Sequence, residues 1–208
     1  MIGSWVEIES DKQCRRIELA TPHKKCLAAN PNTSTMTIEH VRTTVSPRIV
    51  LAAYFKSLGG EPPFQGGWGY SKEDACVIDK NDPSVCPDLP FDWIGFENVF
   101  VEKRLYIELI IHRDPSETFA GITWKRLKQT LVQESGRYFD NLIFEVSAVP
   151  ATDWEQLKAE IEGPHGSRNP AFDMEAHKAK RELKTIRFHC EYWFDITGKW
   201  SGLAADAP

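Results

Sequence analysis

The 208-residue sequence has no apolar run long enough to cross a bilayer. Its most apolar stretch, Leu105-Tyr-Ile-Glu-Leu-Ile-Ile111, is far short of the roughly 20 residues a membrane helix requires and contains a glutamate. No membrane association is expected. A secretory leader is not expected either, because Glu7, Glu9 and Asp11 stand where its apolar segment would run. Cysteine is sparse and irregular: Cys14, Cys26, Cys76, Cys86 and Cys190 are an odd number without a regular spacing. A chain of this length buries enough surface to fold without disulfide staples, so reduced thiols and a cytoplasmic location are expected.

An excess of positive charge is also missing. Lys and Arg number 25 against 30 Asp and Glu, a formal charge of −5. That balance opposes non-specific attraction to nucleic acid and to anionic membranes, and suits a basic or neutral partner. The charge is uneven, +1 over residues 1–35 and −6 over 36–208.

Familiar catalytic and cofactor motifs are absent: no Walker loop, no Gly-x-Gly-x-x-Gly, no Gly-x-Ser-x-Gly, no His-Glu-x-x-His and no Cys-x-x-Cys. His112-Arg-Asp114 spells the core of a kinase catalytic loop, but it lacks the downstream Asn and a glycine-rich loop ahead of it. Cys14, His23 and Cys26 are thiolate and imidazole donors that one zinc ion could bridge, yet the fourth ligand is missing. Neither a metal nor another cofactor is expected.

What is present is an ordinary globular composition, 41% hydrophobic and 26% charged, with 13 Gly and 13 Pro. Residues 1–35 are polar and turn-rich and read as an N-terminal extension. The competing reading gives their short alternating stretches, Trp5–Ile8 and Arg16–Leu19, to the main sheet. Residues 36–198 read as a single α+β domain, a mainly antiparallel sheet with helices packed mostly on one face, and 199–208 as a tail.

Within that domain, Ser46-Pro47 and Gly59 predict a capped helix. Glu61–Tyr70, with two prolines and three glycines, predicts a loop free of regular strand and held by its rings. Ala75–Ile78 predicts a short strand. Phe96–His112 predicts two strands about a turn near Glu102–Arg104, with a helix over Val99–Ile111 as the competing reading. Thr123–Glu134 predicts an amphipathic helix stopped by Gly136. Asn141–Val149 predicts a strand, Thr152-Asp-Trp-Glu155 a capping box opening a helix that ends at Gly163, and Asp173 the cap of another. Ile186–Ile196, with six apolar alternates, predicts a long strand.

Two places attract functional interest. On the polar side of the sheet, Arg187, His189, Glu191 and Asp195 would stand near Glu108 and His112, and near Glu145 and Ser147, if their strands are neighbours. An imidazole held by a carboxylate is the ingredient for general acid-base work, which makes His189, Glu191, His112, Glu108 and Glu145 the candidate catalytic set of a small hydrolase or isomerase. The plainer reading is the solvated face of an antiparallel sheet. In the Gly66-Gly-Trp-Gly-Tyr70 loop, Trp68 and Tyr70 are flat surface suited to recognition or rings that plug the fold. With Trp193 and Arg187 they form the candidate binding set. The leading expectation is a non-catalytic cytosolic protein that binds another macromolecule, a protein rather than nucleic acid, of inhibitor or immunity type, through acidic surface and exposed aromatics.

Overall fold

The computed structural model describes residues 43–55, 61–79, 81–85 and 92–200. The expected extension over 1–35, the helix stop at Gly59 and the end of the chain beyond Trp200 lie outside them. Helix α1 (Pro47–Phe55) starts at the proline, whose missing N–H and fixed φ suit a first turn, and the Val50 N–H bonds back to the Ser46 carbonyl at 3.2 Å.

Five strands form one sheet among the described residues, in the order β1-β2-β5-β4-β3: β1 (Phe64–Gly66), β2 (Cys76–Ile78), β3 (Phe119–Glu134), β4 (Arg137–Pro150) and β5 (Ile186–Asp195). Only the β2–β5 pairing is parallel, so the architecture is α+β with a mainly antiparallel sheet. β1 corrects the expectation of an irregular Glu61–Tyr70. At a sheet edge, three residues can pair with β2 between the prolines and glycines without needing hydrogen bonds on the outer side.

The long last strand alternates as its sequence predicts. Phe188, Cys190, Tyr192 and Phe194 are buried while Arg187, His189 and Glu191 face water. Residues 93–111 are instead helical. Helix α2 (Trp93–Tyr106) continues into a π-helical turn, Ile107–Ile111. Its start is set by Asp92, whose carboxylate accepts from the Ile94 N–H at 3.1 Å. Phe96, Phe100, Val101 and Leu105 recur at helical spacing and press on the sheet, with the Phe100 ring 5.2 Å from Phe64 and 5.5 Å from Phe194. The alternation of Leu105–Ile111 misled because the segment is apolar on nearly every side, and a buried helix and a buried strand then look alike.

The second correction is larger. Residues 119–134 form a strand, and the 123–134 helix does not exist. Ser135 and Gly136 both have positive φ, 51° and 78°, so they make a two-residue turn of the primed kind that joins β3 to β4 in a hairpin. Gly136 is a hairpin residue rather than a helix stop. The strand is set by its pairing along β4, which overrides local helical spacing.

After β4, helix α3 (Ala151–Glu162) begins one residue ahead of the expected capping box. The Ala151 N–H bonds to the Thr118 carbonyl at 2.9 Å, and no side chain caps the helix. Helix α4 (Met174–Lys184) is capped by Asp173, which accepts from the Ala176 N–H at 2.9 Å. The short helix α5 (Thr197–Trp200) follows β5 directly and crosses the boundary expected at 198/199.

Candidate functional site

The sheet separates the expected catalytic groups. Glu145 on β4 stands opposite His189 on β5, with Lys125 of β3 opposite Glu145 on its other side, so a cross-strand row of cation, carboxylate and imidazole runs over the outer face. Two residue pairs away, Ser147 faces Arg187, and Arg187 reaches Glu182 of α4 at 2.6 Å. Glu191 accepts from the Asn141 side-chain amide at 2.8 Å. Trp193 is half-buried, its ring edge-on to Phe139 at 6.5 Å. Asp195 is taken by Arg137 and by the Thr197 backbone and hydroxyl.

Glu108 and His112 do not join this row, which corrects their placement on a neighbouring strand. They belong to the π-helical turn and its end, on the core side of the sheet. The His112 Nε2 is buried without a hydrogen-bond partner, and burial lowers the imidazole's pKa.

Glu108 belongs to a buried polar centre. Arg104, one helical turn earlier, donates from Nε to Glu108 Oε1 at 2.7 Å and from Nη1 to the carbonyls of Trp68, Gly69 and Glu191 at 3.0–3.2 Å. Its guanidinium lies between two rings, 3.9 Å from the Tyr70 centroid and 4.2 Å from that of Tyr192. The Tyr70 hydroxyl donates to the same Glu108 oxygen at 2.7 Å. Burial opposes the arginine's charge, but the Glu108 carboxylate beside it raises its pKa above the ordinary value. The group therefore ties the 66–70 loop to α2 and β5.

That loop also explains its glycines. At Gly69, φ is +72° and an added Cβ would lie 2.8 Å from the Trp193 carbonyl oxygen, while the Gly69 carbonyl accepts from the Trp193 N–H at 3.0 Å. The close approach is to β5 of the same chain. Trp68 is 4% exposed, rests against Phe100 and donates from Nε1 to the Val45 carbonyl at 2.8 Å.

A second buried polar group went unnoticed in the sequence. Glu97 of α2 and Asp140 of β4 are both buried, and Asp140 accepts from the Gln129 amide through one oxygen while its other oxygen has no partner. Burial, and then the charge of Asp140, push the Glu97 carboxyl up to about 7. Asp140 is raised too, chiefly by burial. The signal was available: Glu97 follows Phe96 on the buried side of α2's helical period. Proton exchange near neutrality is within this pair's chemistry. The nearby pocket of about 190 Å³, lined by Val77, Ile78, Asp79, Asn81, Trp93 and Gly198, includes neither carboxyl in its wall and is smaller than the roughly 300 Å³ at which small-molecule sites begin.

The remaining feature is β3 itself. Its first residues are covered, Gly121 by the Trp154 ring and Phe119 by Arg113. From Lys125 onward it is a sheet edge, exposed or half-buried at every position, with Leu127 47% and Leu131 55% exposed. A register shift between Arg126 and Lys128 breaks the alternation, which is why period-two reasoning missed the strand.

Cys14, His23 and Cys26 lie outside the described residues. Among those described, no cluster of three or more His, Cys, Asp or Glu side chains is placed to hold a metal ion. No protein-family model, curated protein or solved structure matches the chain.

Proposed function

We propose that this chain is a non-catalytic cytosolic protein that binds another protein, of the inhibitor or immunity type. The observation that carries the reading is the Lys125–Glu134 part of β3, an edge of the sheet with which no other described strand pairs and which bears two exposed leucines. Open edges with apolar side chains are sites of association, and folds that have no use for them cover them.

Two further observations support it. Groups with strongly perturbed acidity serve packing, as Arg104 and Tyr192 do, and His189 is exposed and Glu145 half-buried on the outer face of the sheet. Cys76 and Cys190 are free buried thiols, and no helix among the described residues is long and apolar enough to cross a membrane. Reduced thiols suit a cytosolic setting.

The test is recovery of the chain from its own cells under native conditions, alongside a Leu127→Asp, Leu131→Asp variant. A single stoichiometric protein companion is expected with the first and not with the second. A chain that migrates alone, or a companion equally retained by the variant, overturns the reading.

A further inference from the structure

Resting on that reading, we infer that β3 takes its partner by strand addition, and that the added segment is acidic. Three observations combine. The outer side of β3 pairs with nothing among the described residues, so its backbone N–H and C=O groups are available to another chain. Lys125, Arg126 and Lys128 fall within four residues of this edge, in a chain whose overall charge is −5. Beyond them, Leu131 and Val132 offer one apolar side chain to each face of the sheet, as strand periodicity requires.

Together these features choose among occupants. A second copy of the chain, added antiparallel over the open Lys125–Glu134 segment, would offer its three cations a single carboxylate, that of Glu134, which Lys72 already holds. An extended segment with glutamates or aspartates opposite Lys125 and Lys128 and apolar residues opposite Leu131 and Val132 meets both the charge and the apolar pattern. A nucleic acid would meet the cations, but it would leave the edge amides and carbonyls unpaired. The bulge at Arg126–Lys128 fixes where pairing changes register, which restricts the segments that fit.

The probe is a synthetic peptide of about ten residues, the length of the open edge, with glutamate at the two positions opposite Lys125 and Lys128 and valine and threonine elsewhere. Amide hydrogen exchange is followed on the full chain with and without it. Protection is expected at Lys125–Glu134 on addition of the acidic peptide. Its affinity should fall roughly tenfold or more in a Lys125→Glu, Lys128→Glu variant, as two attractive cross-strand pairs become repulsive. The same peptide with lysine for glutamate should bind the variant and not the parent.

Strand addition is overturned if the acidic peptide does not bind, binds without protecting β3, or binds no better than its lysine counterpart. Protection of β3 amides before any peptide is added overturns it too, since the edge is then occupied by the chain itself. Tighter binding of single-stranded polyuridylate at the same amides would assign the cations to phosphate and overturn it as well. A native companion that depends on Leu127 and Leu131, together with a failed acidic peptide, leaves the protein-binding reading standing and removes strand addition alone.

Discussion

Arg104 Nε lies 2.7 Å from Glu108 Oε1, and the two side chains are 3% and 2% exposed. An ion pair so shielded from water does not imply a large net gain, because both charges were dehydrated to form it. It does imply a large penalty when only one member is removed. Glu108→Gln is expected to lower the unfolding free energy by roughly 3–5 kcal/mol, leaving Arg104 with carbonyl and ring contacts but no counter-charge. Arg104→Met combined with Glu108→Leu should cost less than Glu108→Gln alone. Urea titrations of the three variants check the order.

The acidity of Glu97 makes stability depend on pH. Its folded value of about 7 stands above the 4.5 of an ordinary glutamate, so the folded chain holds a proton that the unfolded chain releases between those values. The contribution is present in full below about 4.5 and is lost as pH rises through about 7, a loss of up to about 3 kcal/mol at 1.4 kcal/mol per unit. Asp140 is shifted in the same direction. Glu97→Gln should flatten this fall, so that the variant gains on the parent between about pH 5 and pH 8 in denaturant titrations. A parent and variant that run parallel across that window would contradict it.

Trp68 and Tyr70 should part company on mutation. Trp68→Ala removes a buried ring that touches Phe100 and spans to Val45, and should cost roughly 3–5 kcal/mol. Tyr70→Phe keeps the ring over Arg104 and removes one hydroxyl bond to Glu108, so about 1–2 kcal/mol is expected. Thermal unfolding of the two variants reads the difference.

The β3–β4 turn can be improved and damaged locally. Ser135→Asn supplies the residue best suited to positive φ before glycine and should stabilise the hairpin by a few tenths of a kcal/mol. Gly136→Ala meets open space, so only its backbone conformation objects, and a loss of about 1 kcal/mol is expected. Calorimetry on both variants tests the turn assignment, since a helix stop at Gly136 would leave Ser135→Asn without benefit.

The sequence alone determined those elements whose residues carry their own instructions. Ile186–Ile196 alternates so regularly that its buried face was legible, Pro47 and Asp173 marked helix starts, and Gly163 marked a helix end. The mainly antiparallel α+β class follows from the same signals. The positions of Glu145 and His189 on one face were also readable, because strand periodicity assigns them without knowledge of neighbours.

Tertiary structure decided everything that depended on a partner. Whether Leu105–Ile111 is helix or strand turns on what surrounds a segment apolar on nearly all sides, and Asp92 with the facing Phe64 and Phe194 settled it as helix. Thr123–Glu134 has helical spacing of its own, but pairing along β4 made it a strand, and as an exposed edge it had no buried face to write a period of two into its sequence. The same holds for the Glu97–Asp140 and Arg104–Glu108–Tyr70 groups, whose members are separated in sequence or hidden in a helix period. Their burial and their acidity are properties of the space they share, and that space exists only once α2 lies on the sheet.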